Sequence, residues 1–200
     1  MRDATRSKIA ACMCRLVPGR IARRFVRRQD GAAAIEFALV AAPFLALTFA
    51  ILETAMVFFG GQMLQSAASD SARKIMTGEA MTTNFDSGAP DPAGFSKANF
   101  KSEVCRHLIG MFNCANVVVD VQVYGTFAAV TSAPPLAPDG TLDDAATNYN
   151  RGDVGNIVAV SIYYPWPIYV SQLDLLASHS LAGSNRLLVA TSVFRVEPFH

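Results

Sequence analysis

A single carboxylate, Glu36, lies inside an apolar segment that runs from Ala32 to Leu52. An ionised side chain near the centre of a bilayer costs about 2.5–3.5 kcal/mol on insertion scales, so such residues are rare and usually have a function. An arginine-rich stretch and Gly31 stand immediately before the segment. The spacing of Gly31, Ala32 and Glu36 therefore indicates a specific task for this part of the chain.

The other polar residues form no recognisable catalytic pattern. The sequence has no phosphate-binding loop, dinucleotide fingerprint, HExxH motif or nucleophile elbow. His107 is expected to be a surface or structural residue. Three loop carboxylates are expected to be solvated, with a weak calcium site as the alternative: Asp143, Asp144 and Asp153. We therefore expect no enzyme activity, no cofactor and no metal; a membrane-tethered enzyme with its site in irregular loops is the weakest hypothesis.

The charges divide the chain into two regions. Residues 1–30 contain nine Lys/Arg and two Asp, whereas residues 31–200 contain eight Lys/Arg and fourteen Asp/Glu. A basic tail that lacks interleaved aromatic residues and leads directly into an apolar segment favours a membrane over nucleic acid as its partner. The positive-inside rule then predicts a cytoplasmic tail and a translocated C-terminal part.

The apolar segment has the length of a membrane span. The 21 residues from Ala32 to Leu52 include only Glu36 and Thr48 as polar side chains, and at about 1.5 Å per residue they extend roughly 31 Å. A cleaved secretory signal is the competing interpretation, but its apolar core is only about 7–15 residues long. We therefore predict a transmembrane helix, with a kink or local unwinding at Pro43.

This helix is predicted to continue beyond the membrane to about Thr77. Apolar residues recur at helical spacing on one face of residues 62–77 and polar residues occupy the other. Gly60 and Gly61 are expected to loosen the helix locally, and Gly78 to end it.

The remaining sequence predicts a small α+β domain. A helix is expected from Ser96 to Phe112, and strands at Asn116 to Val130, Val154 to Tyr164 and Arg186 to Val196. Pro165–Pro167 are expected to end the second strand, because proline cannot donate to a sheet ladder. The predicted fold is a long N-terminal helix packed on a small, mainly antiparallel sheet.

Two further features of this domain carry specific expectations. Cys105 and Cys114 are predicted to form a disulfide in an oxidising compartment, with free thiols as the alternative. Residues 168–180 could be a short helix or a loop. The aromatic cluster comprises Tyr163, Tyr164, Trp166 and Tyr169. Core packing is its preferred interpretation, and a partner-binding surface is the alternative.

The basic tail, Gly31, the apolar helix and Glu36 together resemble a type IV prepilin cleavage site. In such a site a membrane peptidase cuts after the glycine, and the glutamate is the fifth residue of the mature chain. More specifically, "GAAAIEFALVAAPFLALTFAILE" and "SAASDSARKIMTGEA" resemble the TadE-like family, the pseudopilins of bacterial tight-adherence (Flp) pilus assembly. The segments "YYPWP" and "ATSVFRVEPF" are similar to the family's C-terminal part.

The resemblance implies a minor pseudopilin of the bacterial inner membrane, with a pilin-like fold. Its organisation would be a cytoplasmic leader of residues 1–31, a helix at 32–78 with an extramembrane extension, and a periplasmic domain at 79–200. Its implied partners are the membrane, a prepilin peptidase, other pilins or pseudopilins and the inner-membrane pilus platform. The alternative is an uncleaved single-pass protein whose periplasmic domain binds another envelope component.

Cleavage between Gly31 and Ala32 would give Glu36 a partner. The new amine of Ala32 lies four residues away, within reach of the carboxylate of its own chain or of a neighbour, so the pair could fix the register of adjacent helices. Glu53 lies about 26 Å further along an ideal helix. It is expected at the far water boundary, with a second assembly contact as the alternative.

Overall fold

A computed structural model describes residues 31–89, 93–168, 180–182 and 185–198 of the chain. The described part of the chain divides into two compact units between residues 48 and 49, and we call the second unit, which begins at residue 49, the globular unit. The predicted domain boundaries near residues 31 and 78 stay predictions.

The first element is the long helix α1, Ala32–Met76, which has 45 residues. Arg73 and Lys74 lie in its last turn, where cations stabilise the negative end of the helix dipole. The helix ends before Gly78, whose φ of 80° is a left-handed conformation that favours glycine. The short helix α2, Glu79–Thr82, follows. The predicted end of the long helix is therefore correct to within one residue.

The helix is unbroken at both Gly60 and Gly61, which were expected to loosen it. The helix therefore has no break at these glycines, and the expected local loosening stays a prediction. A glycine weakens an α-helix by only about 1 kcal/mol relative to alanine, which the packing of the helix on the rest of the globular unit can offset.

The second long helix, α3, spans Lys97–His107. The Ser96 hydroxyl accepts a hydrogen bond from the Asn99 amide at 3.1 Å, as expected of a helix N-cap. The predicted end at Phe112 was wrong, because Leu108 already has an extended conformation. Gly110 then takes a φ of 58°, a conformation that glycine adopts easily and that does not continue a helix.

The sheet is antiparallel throughout. Its strands are β1 (Val118–Tyr124), β2 (Ile157–Pro167), β3 (Ser180–Leu181) and β4 (Asn185–Arg195), in the order β1-β2-β4-β3. The three longer strands were predicted, and the two-residue strand β3 was not. Residues 169–179, on which the predicted short helix or loop falls, lie outside the described residues.

Both ends of β1 and of β2 differ from the prediction, and β1 begins at Val118 and not at Asn116. Strand β1 ends at Tyr124 and not at Val130, since a 3₁₀ turn occupies Phe127–Ala129. Strand β2 begins at Ile157 and not at Val154, because residues 153–156 form a turn in which Gly155 has a φ of 85°.

The prediction that Pro165–Pro167 end β2 was also wrong. The pairing of β2 with β1 stops at Tyr163, whereas its pairing with β4 continues to Pro167. Residues two apart direct their nitrogen atoms to the same side of a strand, so both prolines can face the side that β1 has vacated. Proline is therefore tolerated here because this end of β2 pairs with β4 alone.

The core lies between the sheet and the part of α1 within the globular unit. The helix contributes buried residues at helical spacing: Val57, Leu64, Ala67, Ala68, Ala72 and Ile75. Each long strand contributes alternate residues, such as Val117, Val119 and Val121 from the first strand region. The alternation predicted for this region is confirmed. So is the predicted α+β arrangement of a long helix on a small antiparallel sheet.

Loops cover part of the other face of the sheet and part of its β1 edge. The Tyr163 hydroxyl donates to the Ala133 carbonyl at 3.1 Å, which holds the 131–133 segment over the outer face. Along β1, Val121 forms an isolated parallel bridge with Tyr149, and the Asp120 carboxylate accepts from the Asn148 amide at 2.7 Å. The β1 edge is therefore protected at Val121.

Candidate functional site

The predicted processing site lies at the start of α1. Gly31 directly precedes the helix, and Ala32 is its first residue. No acidic residue occupies the first helical turn. Glu36 comes about one turn after Ala32 and is exposed. The first backbone N–H groups of a helix lack intrahelical acceptors and carry partial positive charge, so an amine created at Ala32 would add to that charge close to the Glu36 carboxylate.

The surface of α1 around Glu36 is apolar and uncovered by protein. Large side chains such as Ile35, Phe37 and Leu39 are exposed. Among the described residues, α1 is the one helix whose length and composition suit a membrane span, and none of its most apolar window is buried. A helix that is hydrophobic all round normally lies in a protein core or in a membrane. The apolar surface of α1 is therefore consistent with a membrane anchor.

Two threonine hydroxyls in α1 are satisfied by backbone carbonyls of the helix itself. The Thr48 hydroxyl donates to the Phe44 carbonyl at 2.8 Å, and the Thr54 hydroxyl donates to the Ala50 carbonyl at 2.8 Å. Such bonds lower the penalty for a hydroxyl in an apolar environment. The helix also continues through Pro43 without a break; the predicted kink there stays a prediction.

Glu53 belongs to the globular unit and is partly buried, unlike Glu36. Its proposed position at a water boundary and its alternative role as a second assembly contact both stay predictions.

The described side chains of the aromatic cluster are buried, and two of them, Tyr164 and Trp166, belong to the core. Tyr163, Tyr164 and Trp166 are each at most 5% exposed, and Tyr169 lies outside the described residues. The rings of Tyr164 and Trp166 both contact Phe112, at centroid distances of 4.8 and 5.6 Å. The preferred interpretation, core packing, is thus confirmed for Tyr164 and Trp166, whereas Tyr163 is buried on the opposite face of the sheet beneath the 131–133 segment.

Gly60 of α1 makes room for Trp166. A Cβ atom on Gly60 would lie 2.8 Å from Cζ3 of the indole ring, whereas one on Gly61 would meet nothing within 4 Å. The first glycine therefore permits close contact between the helix and the end of β2. The sequence shows a glycine within a predicted helix and a distant tryptophan, but no sequence pattern indicates that these two residues are in contact.

The predicted disulfide between Cys105 and Cys114 is present, with a Cα–Cα distance of 6.0 Å. It joins the last turn of α3 to the 3₁₀ turn at Cys114–Asn116. The bridge therefore fixes the connection between α3 and the sheet.

Replacing both cysteines by serine is expected to lower the free energy of unfolding of the globular unit by about 2.5–3 kcal/mol. This is the loop-closure entropy for a loop of roughly ten residues. Urea unfolding of the full chain in detergent, followed by circular dichroism, measures the change. The reduced wild-type chain is the matched control and should unfold like the double variant; equal midpoints for oxidised and reduced wild type would contradict the prediction.

A contact between an imidazole and a carboxylate connects α3 to the C-terminal part of α1. The imidazole of His107 lies 3.8 Å from the Asp70 carboxylate and 3.5 Å from that of Glu103. Arg106 pairs with Glu103 at 3.1 Å and stacks over Phe85 at 4.4 Å. The expected structural role of His107 fits this position. Sequence reasoning missed Asp70 as its neighbour, since no local pattern links residues this far apart.

The globular unit has shallow cavities but no evident catalytic arrangement among its described residues. One cavity, of about 300 Å³, lies at the end of the sheet beside Pro165 and Leu181. Another, of about 560 Å³, borders the disulfide. In the described ranges no three His, Cys, Asp or Glu side chains come together as a metal site would require. Burial raises the pKa of Tyr149 far above its usual range, so this hydroxyl remains protonated.

Comparison with known proteins identifies one related family. Residues 31–73 match the family model described as TadE-like protein. The match begins at Gly31 and covers almost the whole of α1, so the predicted resemblance is confirmed for this segment. No curated protein matches the chain, and no solved structure matches it.

The family match supports a protein related to the tight-adherence pilus, associated with the membrane through an apolar N-terminal helix. The matched segment ends at Arg73, within the last turn of α1. The sheet and its loops therefore lie outside the part of the chain on which the family comparison rests.

Proposed function

We propose that this chain is a minor pseudopilin, an assembly subunit of a bacterial tight-adherence pilus. A prepilin peptidase cuts it after Gly31, and α1 then anchors the mature chain in the inner membrane. The observation that carries this proposal is the placement of Gly31 at the start of an exposed apolar helix, with Glu36 one turn inside. The match of residues 31–73 to TadE-like proteins supports it.

Cleavage creates a positively charged amine that lowers the free-energy cost of the Glu36 carboxylate in an apolar environment. The uncut chain has a peptide bond at Ala32, whereas the cut chain has an ammonium group there. A pair of opposite charges in a low-dielectric surrounding is far less costly than an isolated carboxylate. Pairing between neighbouring chains would therefore fix the vertical position of one helix against the next as subunits associate.

The proposed topology follows from the charge pattern. The net charge of +7 on residues 1–30 keeps this part in the cytoplasm, and the globular unit lies in the periplasm. The Cys105–Cys114 disulfide suits that oxidising compartment. The direct partners are the prepilin peptidase, other pilins or pseudopilins and the inner-membrane pilus platform.

The role is structural and not enzymatic. The polar side chains that α1 and α3 bring together, such as His107 with Asp70, connect elements of the fold and do not line a deep cavity. Catalytic activity of a purified soluble fragment of this chain would contradict the structural role and indicate an enzyme.

The second candidate keeps the membrane anchor without the processing. An uncleaved single-pass protein would use its periplasmic domain to bind another envelope component. The apolar surface of α1 fits both candidates, so the fate of the Gly31–Ala32 bond distinguishes them.

Replacing Gly31 by leucine is expected to block processing. A Cβ at this position meets nothing within 4 Å, so the change leaves the folded chain intact and alters only the residue presented to the peptidase. The full chain is expressed with an active tight-adherence prepilin peptidase, and its mass is measured. The wild type should lose residues 1–31, and Gly31→Leu should keep them.

The substitution Gly61→Leu is the control, because this glycine also has open space around it but lies far from the cleavage site. It should be cut like the wild type. An intact wild-type chain in the presence of active peptidase would favour the uncleaved alternative.

A further inference from the structure

The segment between α3 and Cys114 exposes apolar side chains to solvent. Leu108 and Phe112 pack against the core, whereas Ile109 between them is 73% exposed and Met111 is 37% exposed. Residues 108–113 contain no charged side chain. We call residues 108–113 the disulfide loop, because the Cys105–Cys114 bridge closes it.

The disulfide loop is held at several points. Besides the bridge, the Asn113 amide donates to the Tyr164 hydroxyl at 3.1 Å. The Phe112 ring packs between Tyr164 and Trp166. The exposed side chains of Ile109 and Met111 are therefore presented by an anchored segment, which reduces the entropy lost when they are buried against a partner.

Contacts with α1 show where the loop lies along the helix. At the C-terminal end of α1, the Glu197 amide donates to the Met76 carbonyl at 2.9 Å. His107, just before the loop, faces Asp70. Phe112, near the end of the loop, contacts Trp166, which in turn packs on Gly60. From His107 to Phe112 the chain therefore runs from the level of Asp70 toward that of Gly60, two positions about 15 Å apart along α1, in the direction of its apolar part.

The same end of the globular unit carries the exposed apolar surface of the helix. Phe58 and Phe59 directly precede Gly60 and are 65% and 55% exposed, and Ile51 and Leu52 continue this surface. The opposite end of the sheet, near Glu197 and Met76, is about 24 Å further along α1. The apolar tip of the disulfide loop and the apolar surface of α1 thus share one end of the unit.

We propose that the disulfide loop contacts the lipid surface, with Ile109 and Met111 inserted among the headgroups beside the anchor helix. This inference rests on the proposed membrane anchor. The disulfide loop is suited to a lipid contact because its exposed side chains are apolar and it carries no charge. It is also anchored, and it lies at the same end of the globular unit as the exposed apolar surface of α1. A second contact would orient the globular unit on the membrane, which a single helix cannot do alone.

The test uses the full chain reconstituted in vesicles of phosphatidylethanolamine and phosphatidylglycerol, with or without brominated acyl chains that quench nearby tryptophan. Ile109→Trp places the probe on the loop. Val154→Trp is the matched control, because Val154 is also exposed and lies beside Gly155, whose amide bonds Val196 at the far end of the sheet. The wild-type chain gives the contribution of Trp166.

Bromination should cause a greater loss of emission in Ile109→Trp than in the wild type, and no added loss in Val154→Trp. Equal quenching of both variants, in chains that remain with the vesicles, would overturn the lipid contact while leaving the anchor standing. If the quenching or spectral change of Ile109→Trp disappears when the protein is diluted in lipid, the disulfide loop contacts a second copy of the chain. This result would also overturn the proposed lipid contact. Failure of the wild-type chain to float with vesicles would instead overturn the anchor and, with it, this inference.

Discussion

Replacing Glu36 by alanine is expected to leave cleavage after Gly31 intact but to abolish incorporation of the mature chain into the pilus machinery. The variant would retain the new amine of Ala32 in an apolar environment with its partner removed. Breaking a buried charge pair in this way costs about 3–5 kcal/mol, which lowers an association constant on the order of a hundredfold or more. The amount of chain that co-purifies with the other pilus proteins measures the effect.

Glu53→Ala is the matched control for this prediction, because it removes the same side chain from the same helix. Glu53 is partly buried in the globular unit and lies far from the new amine along the sequence. We expect the Glu53 variant to co-purify nearly as well as the wild type. Equal recovery of Glu36→Ala and wild-type chain would contradict the proposed role of Glu36, and a large loss in Glu53→Ala would identify a second assembly contact.

Replacing Trp166 by alanine is expected to lower the free energy of unfolding of the globular unit by about 3–5 kcal/mol. The indole ring is 5% exposed and packs against Phe112, Tyr164 and the backbone at Gly60. Its removal would leave a cavity where α1, β2 and the disulfide loop meet. Urea unfolding of the full chain in detergent provides the measurement.

Two glycine substitutions test the same contact without removing the ring. Gly60→Ala and Gly61→Ala gain the same helix propensity, about 1 kcal/mol, but only the first places a Cβ 2.8 Å from the indole. Overpacking of this kind costs about 1–3 kcal/mol. Gly61→Ala should therefore stabilise the chain, and Gly60→Ala should be less stable than Gly61→Ala. Identical midpoints would show that the indole does not pack on the helix as described.

Local patterns in the sequence predicted most of the fold. The 3.6-residue period placed the end of α1 within one residue, and the alternation of Val117, Val119 and Val121 identified the buried face of the first strand. These signals work because each element buries one face, and the period of burial follows directly from its geometry. The strongest site signal, Gly31 with Glu36, was also local.

The errors and omissions occurred where the structure depends on residues distant in sequence. Pro165 and Pro167 were read as strand breakers, but β1 ends beside Tyr163 and leaves that side of β2 unpaired. For Gly60 the sequence predicted a local loosening of the helix and missed its contact with an indole from a residue more than one hundred positions away. Neither outcome follows from propensity, because each requires the strand order or the helix–sheet packing to be known.

The disulfide was predicted from the sequence, but its effect on the conformation of the residues it encloses was not. The pairing of Cys105 with Cys114 followed from their spacing and the predicted compartment. The early end of α3 and the exposure of Ile109 did not follow, since helical periodicity continued through Leu108 and Met111. Closure of the loop and the left-handed conformation of Gly110 override that periodicity.

The most direct test of the proposed function is mass spectrometry of the chain and its partners, purified together from detergent-solubilised membranes of the native host. A pseudopilin cut by the peptidase should begin at Ala32 and should co-purify with pilins and the inner-membrane pilus platform. A chain that retains residues 1–31 beside an active prepilin peptidase, and brings down none of the pilus proteins, would contradict the proposed function.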